Sequence, residues 1–186
     1  MKHFFPLFLS ICGLLLAFAN CQRATATGDE EHFTPLFNGR NLEGWIGATD
    51  QYSVKDGMIV LPKGKAGKLL TKEEYGDFIL RFEFRLTPNA NNGLAIRAPI
   101  SGDAAYNGME LQILDGTSGK YTNLKPYQTH GSIYGVAPAK RGFLKPLGEW
   151  NAQQVECRGR NIRVTLNGHV ILDANLDAVA PGGKTI

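Results

Sequence analysis

Acidic and amide side chains alternate with apolar ones in residues 108–115, a stretch with the composition of a β-strand. Side chains alternate between the two faces of a strand, so Glu110 and Gln112 share one face. Asp115 is out of phase with them unless a bulge or the strand end intervenes, and a bulge would bring all three polar groups onto one surface. Proton transfer and sugar binding are the chemistries that such a set can perform.

A second stretch, residues 91–99, predicts a partner strand for the first. Its small residues Gly93 and Ala95 share a face with Arg97. If the two strands pair, Arg97 lies near Glu110 and the small residues leave room above the sheet. The result is a polar floor suited to a sugar. The alternative is a solvated outer face that carries a cross-strand ion pair.

Length and charge restrict the class of protein. The 186 residues suffice for one domain with a real core, and 22 glycines indicate a turn-rich fold. The formal net charge is +3, and lysines and arginines are spread along the chain. A nucleic-acid-binding surface normally needs a basic cluster, so we expect no nucleic-acid partner.

The N-terminus predicts export. Residues 1–21 combine a basic start with a short apolar run, which is typical of a signal peptide rather than of a membrane span. Two processing sites compete: a small-x-small signal-peptidase site ending at Ala19, and lipidation of Cys21 as in bacterial lipoproteins. Residues 22–32 would form a polar linker. We expect a bacterial periplasmic protein or an outer-membrane lipoprotein, which contacts the membrane only through such an anchor.

Cys157 is the one cysteine left within the predicted domain, since Cys12 leaves with the signal segment and Cys21 is at the processing site. A disulfide framework or a cysteine zinc site therefore has too few thiols. Cys157 alternates with Val155 on the apolar face of a predicted strand. This pattern indicates a buried, inert thiol.

The rest of the chain reads as short strands and turns. Residues 78–86 place five large apolar side chains in strict alternation, which predicts a core face. Asp56-Gly57 and Asn167-Gly168 are hairpin signals, and residues 150–173 predict a three-stranded antiparallel meander. Roughly ten to twelve strands without a helical stripe predict an all-β sandwich or barrel.

A long aperiodic stretch, residues 116–128, follows the polar strand. It contains Lys120, Tyr121 and Tyr127. Loops of this length are usually functional or disordered. Aromatic and basic side chains suit sugar stacking, so Lys120 is a candidate substrate contact; the alternative is an ordinary surface loop.

Several motifs together resemble the 3-keto-disaccharide hydrolase domain family. They occur in the family's order between Phe33 and Asp173: Phe33-x-x-Leu36-Phe37-Asn38-Gly39-x-x-Leu42-x-Gly44-Trp45, Asn92-Gly93-x-x-x-Arg97, Glu110-Leu111-Gln112-Ile113-Leu114-Asp115, Ser132-Ile133-Tyr134-Gly135, Gly148-Glu149-Trp150-Asn151 and Leu166-Asn167-Gly168. Each motif is weak alone, but the ordered set is specific. The resemblance implies a concanavalin A-like jelly-roll β-sandwich over residues 33–186. Members normally continue through two further strands, so we expect either a C-terminally incomplete domain or a sheet completed in another way.

The resemblance also implies a reaction. Family members act on glycosides oxidised at C3 of the sugar, as hydrolases or as 1,2-lyases and hydratases. A ketone at C3 acidifies the proton on C2, so a base can remove that proton and the group on C1 departs by β-elimination. The site then needs a general base, a donor to the enolate oxygen and an acid for the leaving oxygen.

We assign these roles to residues of the chain as hypotheses. Glu110 or Asp115 is the expected base or acid, and His130 is a second acid/base candidate. We expect no cofactor and no metal site, although Glu110, Asp115 and His130 could together hold a divalent ion that stabilises an enediolate.

Four further residues are the expected partners of the substrate, an oligosaccharide or glycoside. Arg97 or Tyr134 would stabilise the enolate. Gln112 and Asn92 would orient hydroxyl groups.

Two other functions remain open on the same fold. Glu110-x-Gln112-x-x-Asp115 has the spacing of the laminarinase motif Glu-x-Asp-x-x-Glu, with two of its three acidic positions changed, and two carboxylates still allow a retaining glycosidase. The second alternative is a non-catalytic, lectin-like surface module. The fold cannot decide among these activities.

Overall fold

A computed structural model of the chain describes residues 33–179. The predicted signal segment, the candidate lipidation site Cys21 and the linker at residues 22–32 lie outside the described residues. The elements below all belong to residues 36–186, the larger of the two units into which the chain divides. Within residues 33–179, no helix has the length and apolar character that crossing a membrane requires.

The described part of the chain contains ten strands and two four-residue helices. In chain order they are β1 (Trp45–Gly47), β2 (Ser53–Lys55), β3 (Met58–Val60), β4 (Leu69–Thr71), β5 (Phe78–Arg85), β6 (Asn91–Ile96), α1 (Ala104–Asn107), β7 (Met109–Leu114), β8 (Trp150–Arg158), β9 (Asn161–Leu166), β10 (His169–Asn175) and α2 (Leu176–Val179), with a 3₁₀ turn at Pro126–Gln128. The helices are too short to produce the 3.6-residue stripe from which helices are predicted.

All strand pairs are antiparallel. One sheet has the order β10-β9-β8-β5, and β6-β7, β1-β4 and β2-β3 form three two-stranded sheets. The predicted meander is present as β8, β9 and β10. The predicted all-β fold class is confirmed, since antiparallel strands account for most of the regular secondary structure in residues 33–179.

The hairpin signals act through backbone geometry. Asp56 and Gly57 have φ of 50° and 73° and join β2 to β3, while Asn167 and Gly168 have φ of 49° and 84° and join β9 to β10. Two consecutive positive φ angles match the right-handed twist of the flanking strands, and Asn, Asp and Gly tolerate them best.

The core lies between the four-stranded sheet and the layer built on β6 and β7. Met109 and Leu111 of β7 are buried in one cluster with Val155 of β8 and Val164 of β9. Cys157 also belongs to this cluster and is fully buried as a free thiol, and burial raises its pKa to about 11. The thiol therefore has little nucleophilic character at neutral pH.

Strand β5 contributes the predicted apolar face. Its Phe78, Phe82 and Phe84 pack against the core cluster while Arg81 and Glu83 are exposed. The three phenylalanines are only partly buried, because β5 is an edge strand among the described residues.

Candidate functional site

The predicted pairing of the two polar stretches is present. The register of β6 and β7 places Gly93 opposite Gln112 and Ala95 opposite Glu110. Because directly opposite residues of a sheet share a face, these four residues lie on the side turned away from the core.

Residues 131–134 run alongside β7, where Ile133 forms an isolated β-bridge with Leu111. Tyr134 N–H donates to the Glu110 carbonyl at 2.8 Å, and Gln112 N–H donates to the Ser132 carbonyl at 3.0 Å. Tyr134 therefore stands opposite Glu110 on the same side. We call the surface formed by Gly93, Ala95, Glu110, Gln112 and Tyr134 the polar face.

The Glu110 side chain lies directly over Gly93. A Cβ atom built on Gly93 would be 1.8 Å from Glu110 Oε1 and 2.4 Å from both Cγ and Cδ of the same side chain. Any side chain larger than hydrogen at position 93 would therefore displace the carboxylate. The absence of a side chain at Gly93 determines where the carboxylate can rest.

The Glu110 carboxylate is half-buried and makes no hydrogen bond or ion pair with any residue in the range 33–179. Burial raises its pKa above the ordinary value, and the negative charge of Asp103 raises it further. A carboxylate that is costly to ionise binds a proton more strongly, which makes Glu110 a better base than an exposed glutamate.

Tyr134 presents a hydroxyl with a fixed position. Gln128 Nε2 donates to Tyr134 Oη at 2.8 Å, and Gln128 Oε1 accepts from Lys125 N–H at 2.9 Å. The hydroxyl accepts this bond, so its own proton remains available for a ligand oxygen.

Gln112 lies beside Glu110 at the inner end of the polar face. Its side chain is 5% exposed, and its Oε1 atom finds no hydrogen-bond partner within residues 33–179. A buried acceptor without a partner is costly, and a bound hydroxyl group or water could satisfy it.

The predicted acid/base role of Asp115 does not fit its surroundings. Strand β7 keeps a regular register to its end at Leu114, so no bulge returns Asp115 to the phase of Glu110. The buried carboxylate instead accepts hydrogen bonds from Asn89 N–H at 2.8 Å, from Thr117 N–H and hydroxyl at 2.8 and 2.6 Å, and from the Ser118 hydroxyl.

These bonds define the electrostatics of Asp115. Burial alone would raise its pKa, but hydrogen bonds from Ser118, Thr117 and Asn89 outweigh burial and hold the pKa well below its ordinary value. A carboxylate this stable as an anion neither takes up nor releases a proton near neutral pH. Asp115 stabilises the start of the loop that follows β7.

Replacing Asp115 by asparagine should therefore destabilise the fold. Each carboxylate oxygen accepts from two donors, so an amide NH₂ on either side would face an N–H or O–H group. We expect the free energy of unfolding to fall by about 2–4 kcal/mol at pH 7. The folded-state pKa is lowered, so the contribution of Asp115 is complete above its ordinary pKa and declines as the pH falls below it. Denaturant unfolding at pH 7 and pH 3 should show the variant's deficit shrinking at the lower pH; a constant deficit would contradict this account.

His130 is also part of the fold rather than of the polar face. Its Nδ1 accepts from Leu114 N–H at 3.3 Å, and its Nε2 lies 3.1 Å from Gln153 Oε1 of β8. Its ring stacks on Phe84 with centroids 5.2 Å apart. Burial lowers the pKa of His130 to about 4, against the opposing effect of the Gln153 bond. Both ring nitrogens are occupied in the core, so the predicted second acid/base role does not fit.

Arg97 turns away from the carboxylate that it was predicted to accompany. It follows the end of β6 with φ of 50°, and its guanidinium donates to Asp77 Oδ1 at 3.4 Å. The positive φ ends the alternation of side chains along β6 before residue 97. The prediction for Arg97 required that alternation to continue. The structure thus pairs the Arg97 guanidinium with Asp77 and not with Glu110.

Two other predicted substrate contacts lie elsewhere. Asn92 stands opposite Ile113, on the other side of the β6–β7 pair from Glu110, and its Oδ1 accepts from Gly93 N–H at 2.8 Å. Lys120 is exposed, and its ammonium lies 5.1 Å from the centre of the Tyr121 ring. Within residues 33–179, neither side chain hydrogen-bonds to Glu110, Gln112 or Tyr134 of the polar face.

The candidate metal ligands are not clustered. Residues 33–179 contain no group of three or more His, Cys, Asp or Glu side chains placed to hold a metal ion. Glu110 is on the polar face, Asp115 is saturated by donors and His130 is in the core. These three residues therefore do not form the divalent-ion site considered from the sequence.

Sequence reasoning overlooked Asp103, whose charge acts on Glu110. Asp103 caps α1 by accepting from Ala105 N–H at 2.8 Å. An aspartate before the helix-forming pair Ala104-Ala105 is a helix-start signal that could have placed a short helix here. Nothing in the sequence shows that this helix packs against β7 or that the charge of Asp103 acts on Glu110.

Comparison with known proteins identifies the family. The model of the 3-keto-alpha-glucoside-1,2-lyase-like domain matches residues 32–184. The chain belongs to this family. A candidate glycosyl hydrolase of Parabacteroides distasonis ATCC 8503 has a crystal structure that matches with a TM-score of 0.68 and 33% identity, covering 77% of this chain and 72% of that one. No curated protein matches the chain.

Two further candidate glycosyl hydrolases of the same organism share the fold. One matches at 23% identity with a TM-score of 0.63, covering 77% of this chain and 72% of that one. The other matches at 22% identity with a TM-score of 0.54, covering 80% and 66%. The family and the 33%-identical neighbour support a glycosyl hydrolase-like enzyme with a carbohydrate substrate.

Proposed function

We propose that this family member cleaves the glycosidic bond of 3-keto-glycosides, with Glu110 as the base that removes the proton on C2. The observation that carries the proposal is the Glu110 carboxylate itself. It is half-buried over Gly93, has no partner among the described residues and has a raised pKa. The family assignment supplies the expectation of a C3 ketone.

The reaction divides into steps that the polar face can assist. Glu110 takes the C2 proton, and the electrons of the C–H bond form an enolate with the C3 carbonyl. The enolate then restores the ketone, forms a C1–C2 double bond and expels the group on C1, which leaves as an alcohol after taking up a proton. Addition of water to the double bond would complete a net hydrolysis.

Tyr134 is the proposed donor to the enolate oxygen. It stands opposite Glu110, and its hydroxyl proton is not used by Gln128. A donor held in place before the reaction stabilises developing negative charge without reorganisation. Gln112, with its unpaired Oε1, is the proposed acceptor for a sugar hydroxyl.

The environment of Asp115 weakens the glycosidase alternative. A retaining glycosidase needs a second carboxyl group about 5–5.5 Å from the first, free to act as acid or nucleophile. In the motif suggested by the sequence that group would be Asp115, whose two oxygens are taken by four donors.

A substrate pair tests the proposal. The purified protein is incubated with a disaccharide of glucose and with its 3-keto derivative, and enone absorbance and released glucose are recorded. We expect turnover of the keto compound alone, and slower turnover when its C2 hydrogen is replaced by deuterium. Cleavage of the unoxidised disaccharide would instead indicate a glycosidase. Binding of either compound without turnover would indicate a lectin-like module.

A further inference from the structure

A single lysine links two distant parts of the chain by hydrogen bonds: the segment before β4 and the segment between β6 and β7. Lys68 precedes β4, and its ammonium donates to the Pro99 carbonyl at 3.1 Å and to the Gly102 carbonyl at 2.8 Å. Both acceptors belong to residues 97–108, which join β6 to β7 and which we call the connection.

Further hydrogen bonds fix both Lys68 and the residues next to its acceptors. The Lys68 carbonyl accepts from Ala48 N–H at 2.8 Å, which fixes the lysine backbone beside the β1–β4 sheet. Within the connection, Asp103 N–H donates to Asn107 Oδ1 at 3.0 Å while Asp103 Oδ1 accepts from Ala105 N–H. A movement of Gly102 would therefore carry Asp103 and α1 with it.

Asp103 caps α1, which packs against β7, the strand that carries Glu110, and Asp103 is the charged group that acts on Glu110. Facing Glu110, β6 contributes the uncharged Gly93 and Ala95, and residues 131–134 contribute the neutral Tyr134. The connection contributes Asp103, whose negative charge opposes ionisation of Glu110. The strength of the base thus depends in part on where the connection lies.

We propose that Lys68 is a positioning residue, which holds the connection against β4 so that Asp103 stays beside the Glu110 carboxylate. This inference rests on the proposed function, in which Glu110 is the base. Lys68 itself forms no hydrogen bond or ion pair with Glu110 within residues 33–179. It acts through two backbone carbonyls and the aspartate that follows them.

The test compares Lys68→Met with Lys68→Arg and with Lys65→Met. Lys65 is an exposed lysine in the same segment between β3 and β4, so Lys65→Met controls for the loss of a lysine charge there. In Lys68→Met the connection loosens and Asp103 moves away from Glu110. The acidic limb of the kcat/KM profile should then move to lower pH. The rate above that limb should fall about three- to tenfold, because the base is weaker and less well placed. Arginine also donates two hydrogen bonds, so Lys68→Arg should largely restore both the position of the acidic limb and the rate above it. Lys65→Met should match the unaltered protein in both.

A titration that needs no turnover separates this inference from the proposed function. The Glu110 carboxyl carbon is followed by ¹³C NMR and assigned by its loss in Glu110→Gln. The pH midpoint of its titration should be lower in Lys68→Met and in Asp103→Asn than in the unaltered protein. The midpoint in the double variant should be no lower than in Asp103→Asn alone. An unchanged midpoint in Lys68→Met, or additive shifts, would overturn the inference even if the enzyme is active. If Lys68→Met does not fold, an unchanged midpoint in Asp103→Asn overturns it equally.

Discussion

Replacing Glu110 by glutamine should abolish turnover of 3-keto-glycosides while leaving the protein folded. Glutamine keeps the shape of the side chain above Gly93 but cannot take up a proton. We expect kcat to fall by about 10²- to 10⁴-fold, the usual contribution of a general base. The carboxylate makes no hydrogen bond or ion pair with residues 33–179, so its loss breaks no contact in the described structure. Steady-state kinetics and a thermal unfolding curve measure the two effects separately.

The matched control is Glu83→Gln, on the exposed face of β5. It removes the same charge from the molecule at a position away from the polar face, so kcat should not change. Wild-type activity in Glu110→Gln would remove Glu110 from the mechanism. A lowered melting temperature in that variant would show that Glu110 supports the fold in a way that its contacts do not reveal.

Replacing Gly93 by alanine should reduce activity almost as strongly, although it replaces no catalytic residue. The new Cβ would overlap Oε1, Cγ and Cδ of Glu110, and the flexible side chain would have to move aside. A base displaced by about 1 Å can lose about 10²-fold in rate, so we expect a fall of that order in kcat/KM. Gly93 does not have a positive φ, and alanine lowers the entropy of the unfolded chain. The free energy of unfolding should therefore change by less than about 1 kcal/mol.

Gly76→Ala is the control for this substitution. Gly76 also lacks a positive φ, and a Cβ there would meet no atom within 4 Å. Equal activity of Gly93→Ala and Gly76→Ala would show that the position of Glu110 above Gly93 does not matter for the reaction. A large loss of stability in Gly93→Ala alone would show that the strand, rather than the carboxylate, gives way.

Alternation of residues in the sequence predicted correctly which side chains of the polar face share a side of the sheet, but only within the strands. Glu110, Gln112, Gly93 and Ala95 share a surface as predicted, because they lie inside two strands of regular register. The prediction was wrong for Arg97 at the point where β6 ends. A positive φ there reverses the direction of the side chain, and an arginine gives no sequence signal for that conformation.

Asp115 and His130 show a different limit. Their residue types fit acid/base chemistry, but their hydrogen bonds decide otherwise. Three of the four bonds to the Asp115 carboxylate come from Thr117 and Ser118, only two and three residues away, and the fourth comes from Asn89 at the end of the paired strands. The partner of His130 is Gln153, 23 residues away on β8, and a contact between separate strands of this kind is not specified by local patterns.

Strand alternation and turn residues act locally, so the all-β class and the hairpins could be predicted from the amino acids alone. The ordered motifs predicted the family, and two neighbouring polar stretches predicted the strand pair. Which carboxyl group remains without a partner, and which is saturated by donors, became evident from the three-dimensional structure. The same holds for Lys68, whose two acceptors lie more than thirty residues away. The physical reason is that burial and hydrogen bonding, which control proton affinity, arise where distant segments meet.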